Sequence, residues 1–138
     1  VCSTPVEENS IVRDYNSMDV FFLALNIYHE ARGERIECQF LISAITLNRV
    51  NDSRWPNTVK EVVLSPRQFS WTNGKVPIVK NEKAWTLSLQ VAKASLDGFT
   101  DGMTDSFWYH THEVNPSWNK FMIPAEICDN HVFWMDGI

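Results

Sequence analysis

The chain has 138 residues, 44% of them hydrophobic, and a formal net charge of −5. That length fits one core, and that composition excludes disorder as the default. An acidic balance argues against a nucleic-acid partner, because phosphate-backbone affinity comes from clustered Lys and Arg.

Residues 1–16 are polar and unpatterned, and read as an arm lying on a single domain over 17–138. The chain opens at Val1 rather than Met, which is compatible with a processed or trimmed N-terminus. Ser17 is placed to cap a helix that starts at Met18, with Asp19 in its positive first turn. From Val20 to Ala31 almost every face is apolar, so the spacing predicts a buried helix closed by Gly33. Its longest apolar run, Val20 to Ile27, is broken by Asn26, and nothing approaches the roughly 20 residues of a membrane span.

A second amphipathic helix is predicted from Ile36 to Val50, ended by Asn51-Asp52-Ser53. Trp55 to Thr58 reads as a turn into a short helix, Val59 to Leu64, stopped by Ser65-Pro66. Gln68 to Val79 reads as a hairpin about Asn73-Gly74, with Pro77 demoting its second arm to an edge. Asn81 caps a helix running to Leu96, closed by Gly98. Two short strands are predicted, Ser106 to His110 and His131 to Met135, with an irregular loop carrying Pro116, Trp118 and Pro124 between them. The fold class is therefore α+β, mostly helical with a small antiparallel sheet.

The chemistry concentrates in Tyr28-His29-Glu30-Ala31-Arg32-Gly33-Glu34. Glu30 falls at the C-terminal end of a buried helix, where desolvation and the negative helix end both raise a carboxylic acid's pKa. An acid still protonated near neutral pH is what a glycosidic leaving oxygen needs. Arg32 and Arg35 oppose that shift if they fold back. A charged turn merely closing a helix is the plain alternative.

His110, His112 and His131 form a second group, with His110 and His112 on one face if that segment is a strand. With Glu30 they could ligate zinc, although no H-E-x-x-H helix is present and His29 and Glu30 stand about 100° apart on theirs. Cys2, Cys38 and Cys128 are widely spaced, form no C-x-x-C pair and decide no compartment. There is no G-x-S-x-G elbow, and the five glycines are scattered singly, so neither a serine triad nor a phosphate loop has support. Aromatic residues make up 12% of the chain, enough to line a sugar site, although most are expected in the core.

Six blocks in order resemble one family. They are Ile27 to Glu34 with its E-A-R-G-E run; Gln39 with Ile45-Thr46-Leu47-Asn48-Arg49-Val50; Trp55 to Val59 with Val62-Val63; Gln68-Phe69-Ser70-Trp71; Tyr109-His110 with Pro116-Ser117-Trp118; and Asn130 to Phe133. The match runs from Met18 to Trp134, and it resembles the SleB/CwlJ type of cell-wall hydrolase catalytic domain. That resemblance implies a lysozyme-like fold that cleaves the bond between N-acetylmuramic acid and N-acetylglucosamine in peptidoglycan glycan strands, with Glu30 as the catalytic acid. On motif position, Gln68, Ser70, Tyr109 and His110 are expected to bind or stabilise substrate, and Trp71 and Trp118 to flank the sugars. No cofactor or metal, no membrane span, a monomer, and action on the bacterial wall from the periplasm or outside are expected with it, and the resemblance leaves phage or bacterial origin open.

Family members usually carry Gly where this chain has Cys38 and Cys128, so the resemblance implies that these two cysteines meet. They often carry Thr-His where it has Phe107-Trp108. The expected reaction is that of a lytic transglycosylase using one carboxylate. A muramidase would need a second, with Glu34, Asp101, Asp105 and Glu113 as candidates. A zinc amidase or peptidase and a non-catalytic wall-binding module are the readings from other classes.

Overall fold

The computed structural model describes residues 15–65, 79–111, 123–129 and 131–135. Four helices come first: α1 (Ser17–Ala31), α2 (Ile36–Val50), α3 (Val59–Leu64) and α4 (Glu82–Leu96). Three strands follow, β1 (Trp108–Thr111), β2 (Ile123–Cys128) and β3 (His131–Met135), in the antiparallel order β1-β3-β2. The predicted hairpin from Gln68, and all but Tyr15 and Asn16 of the expected arm, lie outside the described residues.

Helix α1 is apolar on nearly every face because it is the central element, packed against α2, α3 and α4. Leu23, Ala24 and Ile27 meet Val59 and Val63 of α3 and Val91, Ala92 and Leu96 of α4 in the main core. Its cap is Asn16 rather than Ser17. The Asn16 side chain accepts from the Asp19 N–H at 3.0 Å, and Asp19 accepts from the Asn16 N–H at 3.0 Å. This reciprocal pair satisfies two otherwise orphaned donors, which a lone serine one position later does not. Asn81 caps α4 as predicted, accepting from the Ala84 N–H at 3.0 Å. The buried Tyr28 hydroxyl fixes the approach to α4 by accepting from the N–H groups of Lys80 and Asn81, both at 2.9 Å.

The sheet corrects one expectation. The segment holding Pro124, read as irregular loop, supplies strand β2. Proline is tolerated there because β3 is the central strand and β2 an edge, and a register shift falls between Pro124 and Ile127. Register pairs Tyr109 with Phe133 and Thr111 with His131, so Tyr109, His131 and Phe133 share one face. Trp108, His110, Val132 and Trp134 share the other.

The inner face packs on the elbow between α1 and α2 through a second core of Ala31, Cys38, Ile42, Ile45, Cys128 and Phe133. Cys38 and Cys128 form a disulfide with Cα atoms 5.6 Å apart, the pairing that the resemblance implied. Beside it, Asp129 takes a φ of 48°, a left-handed turn conformation that Asp tolerates. Its carboxylate accepts from the Arg35 backbone N–H at 2.7 Å and from Arg35 Nε at 2.8 Å. The β2–β3 turn is thus fastened to the start of α2 at two adjacent points.

Candidate active site

Helix α1 ends at Ala31, and Gly33 takes a φ of 86°, so the chain turns sharply between Glu30 and Glu34. Glu30, in the last turn, faces the inner side of the sheet and the buried flank of α2. Burial pushes its pKa up to about 7, and the like charge of Glu34 adds to the rise. The Tyr109 hydroxyl, as hydrogen-bond donor, and the Arg49 guanidinium pull the other way. The acid is therefore substantially protonated at neutral pH and can still carry negative charge once it has given its proton away.

The cation beside Glu30 is not one of those that sequence proximity suggested. Arg32 is exposed and turns back on its own helix, its guanidinium 4.6 Å from the Tyr28 ring centroid. Arg35 is committed to Asp129. The cation is Arg49, buried in α2, whose Nε donates to the Phe107 carbonyl at 2.8 Å and whose guanidinium lies 5.3 Å from the Trp55 ring centroid. Asn48 Nδ2 donates to the carbonyls of Thr104 and Ser106 at 2.9 and 3.0 Å. The Leu47-Asn48-Arg49-Val50 block thus clamps the segment leading into β1 and so sets where Tyr109 stands. The sequence signal for Arg49 was its place in the Leu47-Asn48-Arg49-Val50 block of the family resemblance.

Glu34 is the neighbouring carboxylate, and it is occupied. Its Oε1 lies 3.0 Å from Nδ1 of His131, which is almost wholly buried. Asp101 and Asp105 are exposed, and Glu113 lies outside the described residues.

His110 and His131 project from opposite faces of the sheet, so one ion cannot reach both. His112 lies outside the described residues. His110 instead stacks on Trp134, with ring centroids 6.0 Å apart. Among the described residues, Glu34, Cys38 and Asp129 bring potential ligand atoms within 4.8 Å of one another, but the Cys38 sulfur is held in the disulfide and offers no thiolate.

Of the expected substrate contacts, Tyr109 meets Glu30, and His110 lies on the opposite sheet face. Gln68, Ser70, Trp71 and Trp118 lie outside the described residues. Trp55, Phe107 and Trp108 gather into a half-buried aromatic group, with Trp55 and Phe107 stacked at 5.3 Å and Arg54 4.7 Å from the Trp55 ring centroid. Phe107-Trp108, where the family often has Thr-His, is therefore a packing unit.

The cell wall hydrolase family model matches residues 33–134, about three quarters of the chain. The chain belongs to the cell wall hydrolase family. It is 36% identical over 125 residues to a spore cortex-lytic enzyme of Oceanobacillus iheyensis, covering 90% of this chain and 44% of that protein. The spore cortex-lytic enzyme of Bacillus subtilis is 38% identical over 71 residues, covering 51% of this chain and 23% of that one. The chain thus spans less than half the length of the curated relatives it matches.

Among solved structures, the catalytic domain of the germination-specific lytic transglycosylase SleB from Bacillus anthracis superposes with a TM-score of 0.70 at 26% identity. The superposition covers 90% of this chain and 99% of that domain. The Bacillus cereus SleB catalytic domain gives a TM-score of 0.70 at 25% identity, over 91% and 98% of the two chains. The fold is thus the lysozyme-like one expected, with the sheet closing one side of the Glu30 elbow.

Proposed function

We propose that this domain degrades peptidoglycan as a lytic transglycosylase, cleaving the bond between N-acetylmuramic acid and N-acetylglucosamine with Glu30 as its single catalytic carboxylate. The observation that carries the reading is a half-buried Glu30 whose pKa is raised to about 7, while Glu34 is held by His131. Protonated Glu30 donates to the glycosidic oxygen as the C1–O bond breaks and positive charge develops at the muramoyl C1. The resulting carboxylate takes the proton from the muramoyl 6-hydroxyl, whose oxygen closes on C1. The acid is regenerated and the product carries a 1,6-anhydro ring. Because the nucleophile belongs to the substrate, no second free carboxylate is required, unlike hydrolysis. The likeness to a domain titled a lytic transglycosylase supports the same choice.

Glycan strands are the substrate on this reading, and the protein works on the wall side of the membrane as a monomer. Among the described residues no helix is long and apolar enough to cross a membrane. Gln68, Ser70, Trp71 and Trp118 remain proposed substrate contacts on motif position, with Tyr109 beside Glu30, while His110, on the opposite sheet face, could touch substrate only away from Glu30. Mass spectrometry of digested sacculi tests the proposal. Anhydro-muramoyl ends are expected, abolished by Glu30→Gln. Reducing ends would make the enzyme a muramidase, and cleaved peptide stems with intact glycan would overturn the glycosidase reading.

A further inference from the structure

The elbow after α1 and the β2–β3 turn meet at a cluster that the proposed reaction does not use. Glu34, Cys38 and Asp129 each bring one potential ligand atom to within 4.8 Å of the others. Cys128 adds a second sulfur, because it is the disulfide partner of Cys38. Reduction changes the chemistry of this cluster without moving its backbone. The Cα atoms of the two cysteines are 5.6 Å apart, so rotation of their side chains lets the sulfurs part into a pair of ligands. Zinc ligands at bond lengths of about 2.0–2.3 Å stand about 3.4–3.8 Å from one another in a tetrahedron, so the cluster needs to close by about an ångström.

The surroundings are already arranged to support an ion. His131 Nδ1 backs Glu34 at 3.0 Å and Arg35 Nε backs Asp129 at 2.8 Å, the outer hydrogen bonds that orient ligating carboxylates. Arg35 Nη2 also lies 3.6 Å from Cys128 Sγ, and Cys38 sits in the first turn of α2, where the helix end favours negative charge. Both positive groups offset the charge left when two thiolates and two carboxylates surround a divalent cation. Cys38 and Cys128 are buried, whereas the Asp129 side chain is 27% exposed and leaves a way in.

We propose that the reduced protein binds one zinc ion here, ligated by Cys38, Cys128, Glu34 and Asp129. A metal then ties the elbow to the turn where the oxidised protein ties them by a disulfide. The thiolates select zinc over magnesium or calcium, which take oxygen ligands. A phosphine or a dithiol supplies the two electrons. With a phosphine and water, the products are two thiols and the phosphine oxide, and each thiol loses its proton to solvent as its sulfur bonds the ion. The site stands whether or not Glu30 is the catalytic acid.

Cys2 lies outside the described residues, so the test uses the Cys2→Ser chain to remove the third thiol. It is reduced with a phosphine, desalted without oxygen, and titrated with Co2+ and then Zn2+. One Co2+ per chain is expected, with thiolate-to-cobalt charge-transfer absorption that Zn2+ abolishes and Mg2+ does not. The oxidised protein should show no such band. Cys38→Ser and Cys128→Ser should each weaken the band, whereas Glu34→Gln and Asp129→Asn should keep it and lower the affinity about tenfold or more. Absence of the band in the reduced protein, a band unchanged by either cysteine variant, or undiminished affinity in both carboxylate variants overturns the proposal. Where reduction unfolds the metal-free chain, Zn2+ should restore its helical circular dichroism. A cobalt–thiolate band without that refolding puts the ion on an unfolded chain and overturns the proposal as well.

Discussion

Glu34 and His131, 97 positions apart in the chain, meet at 3.0 Å beneath the sheet with both side chains almost wholly buried. The contact occupies the carboxylate that sequence spacing offered as a second catalytic group. It also holds a negative charge beside Glu30, so it bears on which reaction the site performs and on the pH at which it works.

Replacing Glu34 tests both roles. Glu34→Gln removes a charge that raises the Glu30 pKa, so the alkaline limb of activity should move to lower pH. Anhydro products should persist, because on the proposed mechanism Glu34 takes no part in bond making. Product analysis beside the pH profile checks this, and loss of all turnover with Glu30 intact would return Glu34 to the reaction.

The wild-type profile has its own expectation. If Glu30 is the general acid, as proposed, activity should fall as pH rises through about 7. His29 sits next to Glu30 in the chain, and burial lowers its pKa below the ordinary histidine value, with Arg32 adding to that. The limb should therefore survive in His29→Gln. Its disappearance there, with activity retained, would assign it to the histidine.

The same shift has a sign in stability. The folded pKa of Glu30, about 7, exceeds the ordinary value of 4.5, so between those pH values the native state binds the extra proton. Stability then falls as pH rises across that window and is level above it. Glu30→Gln should be nearly neutral at pH 4 and more stable than wild type at pH 8, by at most about 3 kcal/mol. Urea unfolding at the two pH values measures this, and a Gln variant less stable at pH 8 would contradict the desolvation argument.

Arg49 offsets the burial of Glu30 and anchors the Phe107 carbonyl. Arg49→Met should move the alkaline limb up and cost about 1–3 kcal/mol, from the unpaired carbonyl and lost packing. Arg49→Lys should recover most of the limb position but less of the stability, since an ammonium cannot reproduce the fork that spans the carbonyl and the Trp55 face. Paired pH profiles and melting curves separate the two contributions.

The Cys38–Cys128 bond closes a separation of 90 residues and joins α2 to the end of β2. On the chain-entropy account its loss should cost about 4–5 kcal/mol, less any strain it relieves. Unfolding of wild type and of Cys38→Ser/Cys128→Ser, each with and without reductant, checks the figure. Reductant should matter only where both cysteines are present.

The sequence by itself determined the helices and the place of Glu30. Their signals are local: a continuous apolar face, Asn81 as a cap, and Gly33 and Gly98 where a left-handed turn is needed. The resemblance added the family and the Cys38–Cys128 pairing. Tertiary structure decided the environment that raises the Glu30 pKa. Arg32 and Arg35, close in sequence, point elsewhere, while Arg49 reaches the site from α2, because a cation's effect depends on distance through space. Strand β2 was hidden by Pro124, which an edge position excuses only once β3 is seen to be central. Asn26 read only as a break in an apolar run. Its amide partner is Thr46 of α2, 20 positions on in the chain, which only packing brings to it.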